Sequence, residues 1–178
     1  MIVRICIFLM VIGSACQAPV TKSSVVFFDF KQFFENEIKQ LESGKIKLRK
    51  TVITGDEVTA NEEVMPLWKD ELSVFIANTT IKPGQYENYR IDSVKRDNGF
   101  WFLTYTATTA TPDVKYIEIM FNPSKKVERI TIISDKKGSM GSNDITMTYL
   151  PMKGYDIKGE IRSRIGTNRV MDIHAECY

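Results

Sequence analysis

Histidine occurs once in these 178 residues and cysteine three times, and the formal net charge is only +2. Each scarcity removes a class of function. With a single imidazole, His174, no Cys/His metal spacing can be built. The alternation Asp172-x-His174-x-Glu176 would need a second imidazole or a thiolate to hold a metal, so it reads as a solvated strand face. No metal and no cofactor is expected. The near balance of charge gives no case for nucleic acid as a partner. Three cysteines, two of them in the first sixteen residues, exclude a disulfide framework. Cys177, one residue from the end, reads as a small strand side chain. The sequence also lacks a Gly-x-Ser-x-Gly elbow, a His-Glu-x-x-His helix and a phosphate loop. Gly138-Ser-Met-Gly141 has neither the lysine nor the following helix of a phosphate loop.

Long apolar runs are missing too. Crossing the hydrocarbon core takes about 20 apolar residues, and Ile5–Ile12 falls far short before Gln17, Pro19 and Lys22 intervene. What that run does have is the layout of a secretory signal: Arg4, a short apolar stretch, then the small residues Gly13-Ser-Ala15. The stretch Gly13-Ser-Ala-Cys16 resembles the lipobox of bacterial lipoproteins, departing from it at Gly13, where a leucine-like residue is usual. The resemblance implies cleavage before Cys16, a diacylglyceryl group on its thiol and an acyl chain of the palmitate type on the new amine. Acyl chains contribute roughly 0.8 kcal/mol per buried methylene, and two or more give stable anchoring. The expected organisation is a signal peptide over residues 1–15, a lipidated Cys16 with a polar tether over 16–24, and one α+β domain over 25–178. Without lipidation, cleavage near Ala15 or Ala18 would leave a secreted or periplasmic protein.

The domain opens on a helix. Asp29-Phe-Lys-Gln32 has the form of a capping box, Phe30, Phe33, Phe34, Ile38 and Leu41 recur at helical spacing, and Gly44 closes the segment. Ile46, Leu48 and Val52 alternate over Lys45–Thr54, predicting a strand that Lys50 marks as an edge or as loosely packed. Gly55-Asp-Glu57 signals a turn. Thr59-Ala-Asn-Glu62 predicts a second helix start, with the main helical segment beginning near Pro66. Trp68, Leu72, Phe75 and Ile76 would line its apolar face. From Tyr86 the period changes to two. Strands are predicted over 86–95, 99–108, 114–121, 127–134, 145–150, 155–165 and 169–177, joined by hairpin-like turns. Tyr155, Ile157, Ile161 and Ile165 should share a dry face, opposite Asp156, Lys158, Glu160, Arg162 and Arg164. Phe100-Trp-Phe-Leu103 is apolar on both sides, as a strand covered twice or reaching a pocket would be. The expected fold is α+β: a curved antiparallel meander of about seven or eight strands, covered on one face by two N-terminal helices.

Two kinds of chemistry stay open. Adjacent carboxylates, Glu62/Glu63 and Asp70/Glu71, would serve a carboxylate hydrolase if they converged, but adjacent helical residues diverge. No catalytic residue is therefore assigned. The aromatic helix faces either fill a core against the sheet or leave an apolar groove lined by Phe30, Phe33, Phe34, Trp68, Leu72, Phe75 and Trp101. Tyr86, Tyr89, Trp101 and Tyr105 would alternatively form an aromatic platform, or simply pack in strands.

The helix Phe30–Leu41, Trp68-Lys-Asp-Glu-Leu-Ser-Val-Phe75, Ile81-Lys-Pro83, and Tyr149-Leu-Pro followed by Gly154-Tyr-Asp-Ile157 resemble features of outer-membrane lipoproteins of Bacteroidota whose role is unassigned. Thr79-Thr80 stands where such proteins often carry an Asp, so no site built on that Asp transfers. The resemblance implies an envelope location and no particular chemistry. The expected function is a non-enzymatic envelope lipoprotein that touches the membrane through its anchor and binds a hydrophobic ligand or an envelope protein. The alternative is a periplasmic hydrolase using paired carboxylates.

Overall fold

The computed structural model describes residues 27–139 and 141–178. The signal, Cys16 and tether readings lie outside the described residues. Helix α1 (Phe30–Ser43) is followed by the hairpin β1 (Leu48–Thr54) and β2 (Glu57–Val64). Two short helices, α2 (Trp68–Glu71) and α3 (Ser73–Thr79), and a 3₁₀ turn (Pro83–Asn88) come next. The rest is strand: β3 (Tyr89–Lys95), β4 (Trp101–Ala107), β5 (Val114–Phe121), β6 (Val127–Gly138), β7 (Gly141–Leu150), β8 (Gly154–Ser163) and β9 (Arg169–Cys177). All nine strands form one open antiparallel sheet in the order β2-β1-β9-β8-β7-β6-β5-β4-β3. Strands β3 to β9 run as a meander. The β1–β2 hairpin extends it by pairing with the last strand, Leu48 opposite Cys177. Among the described residues no helix is long and apolar enough to cross a membrane.

The α+β class stands, with two corrections. Among the described residues there are nine strands rather than seven or eight, and the cover is not two N-terminal helices: one helix precedes the β1–β2 hairpin and a broken pair follows it. Both differences start at Thr59–Glu62, which is strand rather than helix start. Gly55, at φ +63°, reverses the chain immediately upstream. The ladder from Leu48↔Val64 to Thr54↔Glu57 then satisfies the backbone groups a capped helix would have used. The Thr59 hydroxyl bonds the Val52 carbonyl at 3.3 Å. Helix α1 begins as its cap signal requires, with the Asp29 carboxylate accepting the Gln32 N–H at 2.9 Å. The reciprocal arm is missing, because the Gln32 amide goes forward to Asn36. At the other end Gly44 stays helical (φ −74°) and Lys45 takes the left-handed turn at φ 51°.

Strand pairing lines up one row of buried and partly buried residues after another. Tyr105, Ile117, Ile132, Met147, Ile157, Ile173 and Val52 succeed one another across seven strands. Leu103, Ile119, Ile130, Tyr149, Tyr155 and Ala175 form the next row. On this face Phe34 and Phe75 meet Tyr149 at centroid distances of 5.3 and 5.5 Å, and Phe30 meets Tyr105 at 5.7 Å. The row also contains Lys50, opposite Ala175. Lys50 lies on the covered face of an inner strand, so it does not mark an edge. The cover is limited in extent, and this corrects the expected dry face of β8: Tyr155 and Ile157 are buried, whereas Ile161 is 42% exposed and Ile165, past the strand, 81%.

Candidate functional site

Two carboxylates, Glu37 and Glu71, are held with their partners in the helix–sheet layer. The carboxylate of Glu37 on α1 is only 6% exposed and accepts the Tyr149 hydroxyl at 2.8 Å and the Met152 N–H of the β7–β8 turn. Burial holds its carboxyl above the ordinary range, opposed by those two bonds. Burial likewise raises the Tyr149 hydroxyl well above the usual tyrosine range, with the Glu37 charge adding to it. On α2, Glu71 receives the Lys50 ammonium at 2.8 Å and the Tyr155 hydroxyl. Lys50 and Glu71 keep only 23% and 16% of their side-chain surface, so solvent screens the pair less than a surface bridge. Each pair ties a helix to the sheet, and each satisfies a group that would be costly to bury alone. Cys177 lies half-buried nearby, its thiol pushed up to about 11 by burial and then by the Glu37 and Glu176 charges. At neutral pH it is a thiol rather than a thiolate, which keeps its reactivity low.

Neither sequence-adjacent carboxylate pair converges, although Glu62 and Glu71, one from each pair, both act on the Tyr155 hydroxyl. Glu62 and Glu63 are neighbours on a strand and so face opposite sides. Glu63 is bound by Arg49 at 2.9 Å. Asp70 is exposed and Glu71 is occupied as described. His174 pairs with Asp156 across β8 and β9, Nδ1 to Oδ1, at 2.7 Å on the exposed face. Among the described residues no three His, Cys, Asp or Glu side chains are grouped for a metal. Thr79 and Thr80 bond carbonyls of their own helix, Phe75 at 2.9 Å and Ile76 at 2.7 Å.

Of the seven aromatic and aliphatic residues expected to line a groove, five are core. Phe34, Leu72 and Phe75 are wholly buried, and Phe30 and Trp68 nearly so. Phe33 is partly buried, edge-on to Phe34 and Tyr149. Trp101 is partly buried and packs against this core at its margin. It opens β4 and stacks on Phe121, the last residue of β5, at 4.4 Å and 25° between planes. Register forces the meeting, because Trp101 is paired with Phe121 and with Lys95. Its indole N–H donates to Ser93. The two rings form the wall of a cleft of about 520 Å3 completed by Lys95, Gly99, Asn122, Pro123 and Lys125. No carboxylate lines it.

The turns shape this cleft. The β3–β4 and β5–β6 turns emerge at the same end of the sheet. Gly99, at φ +81°, would bring a Cβ within 3.3 Å of the Pro123 ring, so the two turns are in van der Waals contact there. Lys125 takes φ 62°, and Asn122 is held by Glu128 at 2.7 Å and by the Lys126 N–H at 3.0 Å. Sequence reasoning singled out Trp101 but not Phe121, Lys95 or Lys125. The signal available was the pair of turn motifs, Asp97-Asn-Gly99 and Asn122-Pro-Ser-Lys125, each next to an aromatic. The phenyl of Phe102, one residue on, faces the other way and is capped by the Arg96 guanidinium at 4.7 Å. Comparison with known protein families, curated proteins and solved structures finds no match to this chain.

Proposed function

We propose that the protein is an outer-membrane lipoprotein, anchored through acyl chains on Cys16, that binds without catalysis an amphipathic anion, an acyl chain with an acidic head, in the Trp101 cleft. The supporting observation is the cleft's composition: a stacked Trp101–Phe121 wall, a Pro123 side and two lysines, Lys95 and Lys125, with no acid among the lining residues. Ligand sites are typically 300–1,000 Å3, mostly apolar, with a few polar groups that fix orientation, and this cleft fits that description. The apolar wall supplies the driving force of burial. The lysines favour an anionic over a neutral head. Between helices and sheet, Phe34, Leu72 and Phe75 are wholly buried and serve as core.

Titration of the purified protein with oleate, followed by indole emission and by calorimetry, tests the reading. Oleate should bind, oleyl alcohol more weakly, and Trp101→Ala should weaken oleate roughly tenfold, the scale set by losing a large apolar contact. Undiminished binding in Trp101→Ala, or no preference for the acid, would remove the cleft from the account. Metabolic labelling with a fatty-acid probe tests the anchor separately: label should be present in the wild-type chain and absent in Cys16→Ser.

A further inference from the structure

At the ends of the strands remote from the Trp101 cleft, β8 outruns the helices that cover its first half. The hairpin tip that follows, residues 161–170, reads Ile-Arg-Ser-Arg-Ile-Gly-Thr-Asn-Arg-Val and holds three arginines and no acid. Ile161, Ile165 and Val170 are all exposed there, Ile161 on the helix-bearing face and Val170, opposite Glu160, on the other face. The tip is built rather than loose: Asn168 accepts the Ser163 N–H and Ser163 accepts the Ile165 N–H, both at 3.3 Å. The Val170 carbonyl takes the Gly55 N–H from the next hairpin at 2.9 Å. Arg162 is paired with Glu160 at 2.8 Å and Asp144 at 3.4 Å. Arg164 and Arg169 have no ion pair among the described residues. A shallow cleft between this tip and the end of β6 is lined by Arg162, Arg164 and Lys137, the last paired with Asp135 at 3.1 Å. On the β6–β7 side Asp144 and Asp135 pair with Arg162 and Lys137, so the cations left for an outside partner are Arg164 and Arg169.

Exposed apolar groups rimmed by charge can mark a contact surface, and here Ile165 and Val170 project at the end of the sheet beside Arg164 and Arg169. We infer that the 161–170 hairpin tip docks on an anionic lipid bilayer, with Ile165 and Val170 entering the headgroup layer and Arg164 and Arg169 meeting lipid phosphates. Charge complementarity singles out this occupant. Basic side chains gain energy at an anionic leaflet and nothing comparable at a neutral one, and guanidinium groups bind phosphate oxygens through paired N–H donors. The inference is independent of the Trp101 cleft and does not require acylation of Cys16.

Amide exchange of the full-length protein, with phosphatidylcholine vesicles and with vesicles that also contain phosphatidylglycerol, reads the contact locally and so is not confused by a lipid anchor. Residues 161–170 should gain protection only with the anionic vesicles and lose it at high salt. Arg164→Glu should lower the docked-to-free ratio of the tip roughly twentyfold. Ile165→Asp should abolish docking and Ile165→Leu should preserve it. These side chains are exposed, so the substitutions leave the fold intact. Protection equal on neutral vesicles, protection absent on both, or protection that appears without vesicles and grows with protein concentration would overturn the inference, the last in favour of self-association.

Discussion

Tyr155, Ile157 and Ile161 alternate along one side of β8, yet Ile157 is 7% exposed and Ile161 42%. The backbone treats them alike: Ile157 pairs with Met147 and Ile173, Ile161 with Asn143 and Arg169. What differs lies above the sheet. Over the first half, Phe75 from α3 packs on Tyr155 at 5.4 Å and Glu71 from α2 receives its hydroxyl. Over the second half the neighbours are Gly159, Asn143 and the arginines of the tip. Alternation decides which side a residue takes, and the reach of the helices decides whether that side is dry.

Substitutions along this contrast should separate the two halves. Phe34→Ala, which empties the centre of the covered half, should cost about 3–5 kcal/mol in a urea melt. A cost below 1 kcal/mol would mean the helix–sheet interior is not packed as described. Ile157→Ala should cost about 2–5 kcal/mol. A smaller, pH-dependent effect belongs to Glu37. Its carboxyl is held above the ordinary 4.5 by burial, so its contribution favours the folded state at and below pH 4.5 and is lost as pH rises through the raised value. The stability of the wild type relative to Glu37→Gln should therefore fall as pH increases above about 4.5. A difference that grows with pH would show that Glu37 is stabilised as a carboxylate instead. Smallest of all, Ile161→Ala should change stability by only about 0.5 kcal/mol or less. If Ile161→Ala matches Ile157→Ala, the uncovered half is covered in solution.

The meander was legible in the residues because its signals are local and agree with one another. Two-residue periods, Asn-Gly and Asn-Pro turns and the Asp29 cap all act within a few positions, and β5 and β9 have the expected bounds. Strand β2 was not legible. Its outward Thr59, Asn61 and Glu63 have the polar character of a helix start, and only pairing with β1 makes them strand. Lys50 misled for a related reason, since its partner Glu71 lies 21 residues away on a helix. The cleft was half legible. Trp101 is conspicuous, but Phe121, Lys95 and Lys125 join it only through a register that no single segment encodes.

The claim that apolar ligand enters at the strand ends, and not under the helices, is most directly tested by following side-chain methyl, aromatic and lysine NMR signals during an oleate titration. The account predicts shifts at Trp101, Phe121, Lys95 and Lys125, with Phe34, Leu72, Phe75 and Tyr149 unmoved. Saturating shifts at Phe34, Leu72 and Phe75, with Trp101 silent, would contradict it and place the ligand between helices and sheet.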